Sequence, residues 1–307
     1  MTNLLQVGSI TSEMREQLEA KFIIHQLDDF EPNEITHVIT NGHDGVSPDL
    51  MASLTNLRVI SGYGVGYDAI DVVEAVKRGI VVTHTPNVLN EEVATTALLL
   101  MLSSYREVLR DDDYVRTGAW EKNGNAPLTR SMDNQTIGIL GLGRIGQAIA
   151  NKLIPWKAKI VYHSRNEKDV DYTYYDNLTR MAKECDVLIC ITPGGPSTNK
   201  IVNAEVMEAL GPQGTLINVS RGSVVDEAAL IEALRSGKLG WAGLDVFEAE
   251  PAVPKALREM SNTILLPHVG SATVQTRAAM GALTCNNLLQ HIKDGTVISA
   301  VPECAQL

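Results

Sequence analysis

Three segments of the 307-residue chain carry residue types that exchange protons and hold anions: Asn218-Val219-Ser220-Arg221-Gly222, then Gly243-Leu244-Asp245-Val246-Phe247-Glu248-Ala249-Glu250-Pro251, then Leu266-Pro267-His268-Val269-Gly270-Ser271. An arginine is a permanently charged planar donor, a histidine titrates near neutral pH, and a carboxylate beside it favours the charged ring. Each residue alone has a plainer reading: Arg221 as the partner of a surface carboxylate, Glu250 as part of a charged stretch, His268 as a core or capping residue. All three stand in order at the ends of strand-like runs, which points to one shared site, because open α/β sheets bind ligands at the C-terminal ends of their strands.

A fourth segment, Gly141-Leu142-Gly143-Arg144-Ile145-Gly146, follows the strand-like run 136–140 and opens an apolar-periodic stretch marked by Ile145, Ile149 and Leu153. In that context Gly141 permits a tight turn, Gly143 a close backbone approach to a pyrophosphate, and Gly146 helix–strand packing, while the helix start turns free N–H groups towards the anion. A dinucleotide is expected here. The next run, 159–162, leads into His163-Ser164-Arg165 with no acid before Glu167. An acid at that place would accept from a ribose 2′-OH, whereas Arg165, backed by Ser164 and Lys168, suits a 2′-phosphate. NADP(H) is therefore the expected preference, with NAD(H) as the alternative. A second cluster, Gly62-Tyr63-Gly64-Val65-Gly66, has Tyr67 where a third glycine would fall and is the weaker nucleotide candidate.

The elements that position these residues alternate along the whole chain. Strand-like runs at 4–7, 22–25, 36–40, 57–60 and 80–83 are interleaved with helical periodicity, for example at 13–20. A longer helical segment, 90–118, carries Ala94, Ala97, Leu98, Met101, Leu102, Tyr105 and Val108 at helical spacing and is expected to lead from a first domain into a second. After a polar loop at 120–131, six further runs follow at 136–140, 159–162, 187–191, 215–219, 242–246 and 263–266, the number expected of a complete dinucleotide-binding sheet. The last helical stretch, 272–294, has no strand after it and is expected to return to the first domain. The fold class expected is α/β, with two Rossmann-like or flavodoxin-like domains, doubly wound parallel sheets and a cleft between them. Residues 1–97 with 285–307 would form one domain and residues 98–284 the dinucleotide-binding one.

Composition excludes several alternatives. With 44% hydrophobic and 21% charged residues the chain is ordinary globular protein, and 26 Lys and Arg against 37 Asp and Glu leave a net charge of −11. That balance repels a phosphate backbone, and no Lys/Arg run offsets it, so no nucleic acid is expected. The first residues lack a basic stretch followed by a long apolar one, and the longest apolar run, 97–102, is far short of a membrane span, so a cytoplasmic protein with no membrane partner is expected. Cys185, Cys190, Cys285 and Cys304 form no Cys-x-x-Cys pair and read as buried, reduced thiols. Asp111-Asp112-Asp113 reads as a solvated charge run, His25, His37, His43, His84 and His291 as structural, and no metal site is expected.

With these motifs in this order, from Ser61-Gly62-Tyr63-Gly64-Val65-Gly66-Tyr67-Asp68 to Leu266-Pro267-His268-Val269-Gly270-Ser271, the sequence resembles the D-isomer-specific 2-hydroxyacid dehydrogenases. Within them it is most similar to the NADP-dependent glyoxylate/hydroxypyruvate reductases and hydroxyphenylpyruvate reductases. The resemblance implies hydride transfer from NADPH to a small 2-oxo acid, giving the D-2-hydroxy acid. It assigns Arg221 to binding and polarising the substrate, His268 to general acid/base work and Glu250 to partnering His268, raising its affinity for a proton. It places Asp245 beside the nicotinamide amide, adds Val219, Ser220, His268 and Gly270 to the cofactor contacts, and gives the Val65 and Gly66 N–H groups to the substrate carboxylate. A homodimer joined mainly through the nucleotide-binding domains is implied as well, with the helix from Asn90 contributing. Thr95 departs from the pattern, since many relatives carry an acid there, and Glu250 separates the chain from the related formate dehydrogenases, which have Gln. An aryl-pyruvate reductase and a dinucleotide-sensing, corepressor-like binding protein are the alternative readings.

Overall fold

Every strand-to-strand ladder is parallel, and most of the connections cross over through helices, as parallel neighbours require; the strands Lys159–His163 and Thr173–Tyr174 are joined by a loop without one. The computed structural model describes residues 1–307 as two α/β units, one formed by Met1–Leu89 with Thr273–Leu307 and the other by Asn90–Ala272.

In the first unit β1 (Thr2–Gln6), β2 (Phe22–His25), β3 (His37–Asn41), β4 (Val59–Tyr63) and β5 (Val81–Thr83) form one sheet in the order β2-β1-β3-β4-β5. This is the flavodoxin-like order. β3 and β4 are buried except at their last residues, as strands covered on both faces must be. The helix Val274–Asp294 packs on β4 and on the helix Ser12–Glu19. Its Cys285 and Leu288 join Leu4, Met14, Leu18 and Phe22 in one apolar cluster, and Ser61 donates its hydroxyl to the Thr284 carbonyl at 2.9 Å.

In the second unit β6 (Thr136–Leu140), β7 (Lys159–His163), β8 (Thr173–Tyr174), β9 (Val187–Cys190), β10 (Thr215–Asn218), β11 (Trp241–Leu244) and β12 (Thr263–Leu265) pair in the order β12-β11-β10-β9-β6-β7-β8. Chain order reverses at β6, which lies between β9 and β7, so the loop after β6 is the topological switch point where open sheets bind ligands. Seven strands stand where six were expected. The additional one, β8, has two residues at the sheet edge beside β7, too short to leave a pattern in the sequence.

Two helical expectations are corrected. The segment 90–118 is not one helix: Asn90–Tyr105 ends, Glu107 takes a left-handed conformation at φ 44°, and a new helix runs over Val108–Arg116. The buried face of Asn90–Tyr105 is Val93, Ala94, Thr96, Ala97, Leu100, Met101, Ser104 and Tyr105, whereas Val108 is exposed. The expected crossings near Leu98 and Cys285 fall inside helices, and the units divide before each of those helices instead. A helix packs as one rigid body. Asn90–Tyr105 lies on the helix Arg144–Leu153 and on β10, β11 and β12, and Val274–Asp294 lies on β4 and on the helix Ser12–Glu19.

All four cysteines are free and buried, and burial pushes the Cys185 and Cys285 thiols up to about 12, where they carry no reactive thiolate. No helix is long and apolar enough to cross a membrane.

Candidate active site

The glycine turn of the second unit is built as its sequence requires. β6 ends at Leu140, Gly141 turns the chain at φ 103°, and the helix Arg144–Leu153 starts three residues later. A side chain on Gly141 would meet the Ile191 carbonyl at 2.8 Å, and one on Gly146 would strike the Gly141 carbonyl, so helix and strand pack through these two residues. A Cβ on Gly143 would meet nothing within 4 Å. Seven other helices are capped by their own Thr, Ser, Asp or Asn side chains, at Thr11, Ser47, Asp71, Asn177, Asn203, Asp226 and Thr273. The helix Arg144–Leu153 has no side-chain cap and no acid in its first turn. Its first N–H groups and its positive dipole end are left for an external anion. Gly143 opens a cradle that even a methyl group would fill. These residues fit a dinucleotide pyrophosphate.

At the end of β7, Gly141 N–H donates to the His163 carbonyl at 2.9 Å, and His163 Nδ1–H donates to the Tyr175 carbonyl at 2.8 Å. Arg165 and Lys168 are exposed. The Ser164 hydroxyl donates to the Asn166 carbonyl at 2.6 Å, so it must turn before it can serve a ligand.

Arg221, Glu250 and His268 all stand just beyond the ends of β10, β11 and β12 in this unit. Asn218, buried at the end of β10, fixes the first of these ends. Its Oδ1 accepts from the Ser220 N–H (3.1 Å) and hydroxyl (2.7 Å), and its Nδ2 donates to the Arg221 carbonyl at 2.9 Å. Val219 and Ser220 are buried, and one Arg221 guanidinium N–H reaches the Ser220 carbonyl at 2.9 Å. A side chain on Gly222 would collide with the Phe247–Glu248 backbone, which lets the loop carrying Glu250 lie against the one carrying Arg221.

Asp245 organises the second and third ends. Its buried carboxylate accepts the Val269 and Gly270 N–H groups, each at 2.7 Å, and its backbone carbonyl accepts the His268 N–H at 2.8 Å. Burial raises the Asp245 pKa, against the pull of those two N–H groups and of His268. His268 is thereby held at φ 54°, a conformation that costs a β-carbon-bearing residue energy and persists where the surroundings impose it.

His268 Nδ1 lies 2.7 Å from Glu250 Oε2, and Glu250 Oε1 accepts the Phe247 N–H at 2.9 Å. Burial pushes Glu250 up, but the His268 hydrogen bond, the Phe247 N–H and the charges of His268 and Arg221 outweigh it and hold the carboxyl below its ordinary value. An ionised carboxylate only accepts, so Nδ1 carries the hydrogen and Nε2 is the atom left to exchange a proton. The His268 side chain is 46% exposed and that of Glu250 19%, so the ring is reachable while its partner is shielded. Arg221, Glu250, His268 and Asp245 are the residues that the sequence points to. Asn218 carries no such mark: its only signal in the sequence is an amide at the end of a strand-like run, three residues before Arg221.

Val65 and Gly66 belong to the first unit, where they form a half-buried turn after β4. Thr95 is exposed and turns its hydroxyl back to the Glu91 carbonyl of its own helix at 2.8 Å.

Residues 98–270 match the family model described as D-isomer specific 2-hydroxyacid dehydrogenase, NAD binding domain. A hydroxyphenylpyruvate reductase of Plectranthus scutellarioides is 42% identical over 268 residues, 87% of this chain and 85% of that one. A glyoxylate/hydroxypyruvate reductase A of Arabidopsis thaliana is 44% identical over 270 residues, 88% and 86% of the two chains. Among solved structures, the NADPH-dependent glyoxylate/hydroxypyruvate reductase of Sinorhizobium meliloti in complex with NADP and malonate superposes with a TM-score of 0.93 at 42% identity, covering 99% of this chain and 97% of that one. This chain belongs to the D-isomer specific 2-hydroxyacid dehydrogenases, nicotinamide-dinucleotide enzymes built on two parallel-sheet α/β domains.

Proposed function

We propose that the protein is an NADPH-dependent reductase of small 2-oxo acids, glyoxylate and hydroxypyruvate foremost, forming the D-2-hydroxy acid. The observation that carries this reading is the His268–Glu250 pair at 2.7 Å in the same unit as Arg221 and the uncapped glycine turn. A nicotinamide bound at the glycine turn's unit would supply the hydride for the carbonyl carbon. Arg221 holds the carboxylate and draws electron density towards the carbonyl oxygen through its planar donors. His268 delivers the Nε2 proton to that oxygen, and Glu250 keeps the ring oriented through Nδ1 and offsets its charge. Leu142, Arg144, Ile145, Val219, Ser220, Asp245 and Gly270 are assigned to the dinucleotide, and the Val65 and Gly66 N–H groups to the substrate carboxylate. Residues 1–89 with 273–307 are accordingly the substrate-binding part.

The preference for NADPH rests on Arg165, which is exposed beyond β7 with no acid between the strand end and Glu167 to receive a ribose 2′-OH, and on the NADPH-dependent relative. A homodimer through the nucleotide-binding unit is supported by large apolar residues left on its surface in one stretch of chain: Leu99, Val108, Leu109, Val115, Trp120 and Leu128, the last 98% exposed. Aryl-pyruvate reduction is the second reading, favoured by the 42% identity to a hydroxyphenylpyruvate reductase. NADPH oxidation measured with glyoxylate, hydroxypyruvate, pyruvate and 4-hydroxyphenylpyruvate, and repeated with NADH, tests the assignment. Turnover of none of these acids would refute it, and tighter binding of NADH than of NADPH would refute the role of Arg165.

A further inference from the structure

The turn after β4 is gripped by its carbonyls. The Thr85 N–H donates to the Gly64 carbonyl at 2.8 Å, and His84 Nδ1 lies 3.0 Å from the Val65 carbonyl. A carbonyl oxygen only accepts, so Nδ1 bears the hydrogen. In a planar trans peptide the C=O of one residue and the N–H of the next point in opposite directions. Pinning the Gly64 carbonyl therefore aims the Val65 N–H, and pinning the Val65 carbonyl aims the Gly66 N–H. Two successive N–H groups held in this way form an anion-binding pair whose direction is set from the carbonyl side.

His84 is itself held firmly. Its ring stands edge-on to Tyr67 with centroids 5.4 Å apart. Its backbone N–H donates to the Ser299 carbonyl at 3.2 Å, and its own carbonyl accepts the Ser299 hydroxyl at 2.7 Å. Ser299 is in turn fixed by the fully buried Asn287, whose Oδ1 accepts the Ser299 N–H at 3.0 Å and whose Nδ2 donates to the Ser299 hydroxyl at 2.9 Å. The C-terminal helix thus braces the imidazole that braces the turn.

We propose that His84 is a positioning residue for substrate-carboxylate recognition, acting through the Val65–Gly66 peptide. The proposal rests on the reductase reading above. Leucine and asparagine have nearly the same shape, but only asparagine can place an N–H donor where Nδ1 stands. His84→Leu is expected to raise KM for glyoxylate and hydroxypyruvate about 10-fold or more while kcat and the Kd of NADPH change by less than about 2-fold. His84→Asn is expected to restore KM to within about 3-fold of the parent protein. An unchanged KM in the leucine variant, or an asparagine variant as impaired as the leucine one, would overturn the proposal. Should the leucine variant not fold, His84→Asp, which sets an acceptor against the carbonyl, takes its place in the comparison with asparagine. If the parent protein turns over none of the 2-oxo acids, the reductase reading fails; if it does and the leucine variant matches it, only the role of His84 fails.

Discussion

Two glycine-rich turns end strands of parallel sheets in this protein, and they present backbone N–H groups by opposite means. After β6, Gly141–Gly146 runs straight into a ten-residue helix that has no side-chain cap, so the N–H groups belong to a helix start with its dipole behind them. After β4, Gly62–Gly66 opens no helix at once: the next one, Val72–Lys77, is capped by Asp71 and has Glu74 in its first turn, so its N-terminus is already neutralised. There the N–H groups of Val65 and Gly66 are aimed by hydrogen bonds to the carbonyls behind them. Position in the sheet differs too, since β6 lies at the reversal of strand order and β4 does not. A glycine pattern is thus an instruction to bring backbone close to something. The element that follows the glycines sets how the N–H groups are presented: as the start of an uncapped helix after β6, and as a turn held by its carbonyls after β4.

The comparison can be broken by substitution. The largest effect is expected from the residues that only the second unit carries: Arg221→Ala and His268→Ala should each lower kcat/KM about 10³-fold or more while NADPH binding survives, as read by steady-state kinetics and fluorescence titration. Glu250→Gln keeps a hydrogen-bond acceptor for His268 Nδ1 but removes the charge, and kcat should fall on the order of 10²-fold.

Within the glycine turn, Gly146→Ala and Gly143→Ala should separate folding from binding. The first places a methyl group against the Gly141 carbonyl and should lower Tm by several degrees, roughly 1–3 kcal/mol of overpacking. The second meets no protein atom and should leave Tm unaltered while weakening NADPH binding about 10-fold. Equal Tm losses in the two variants would sink the division of roles.

The smallest effects distinguish the units by pH. In the first, buried His37 is lowered to about 4 by burial, with the charges of His291 and Arg58 adding to it, and His37 Nε2 lies 2.9 Å from His291 Nδ1. A base favoured in its neutral form contributes stability above its unfolded pKa of 6.5, and that contribution is lost as pH falls towards 4. Urea unfolding at pH 7.5 and 5 should therefore differ by about 2 kcal/mol, a gap that His37→Gln narrows. In the second unit the lowered Glu250 contributes stability above its unfolded value of 4.5, and this is lost only as pH falls through the lower folded value. Glu250→Gln should accordingly flatten acid unfolding below about pH 4.5 and leave the range above it alone.

Local pattern was enough for much of this molecule. Alternation of short apolar runs with helical periodicity specified two parallel sheets, because a strand buried on both faces and an amphipathic helix leave different spacings of apolar residues. The four chemical segments were legible for a similar reason: Gly141–Gly146, Arg221, Glu250 and His268 each sit where a strand-like run stops, and strand ends are where such sheets work. Only folding could set the break at Glu107, the side of Asn90–Tyr105 that is buried, and the edge strand β8, since each depends on what packs against it and not on its own residues. The same holds for Asn218, Asp245 and His84. Their side chains act on backbone groups, and the longer of these contacts, Asp245 to Gly270 and His84 to Val65, join residues well separated in the chain. A sequence shows that such a group can donate or accept, and only the tertiary structure decides which carbonyl or N–H it meets.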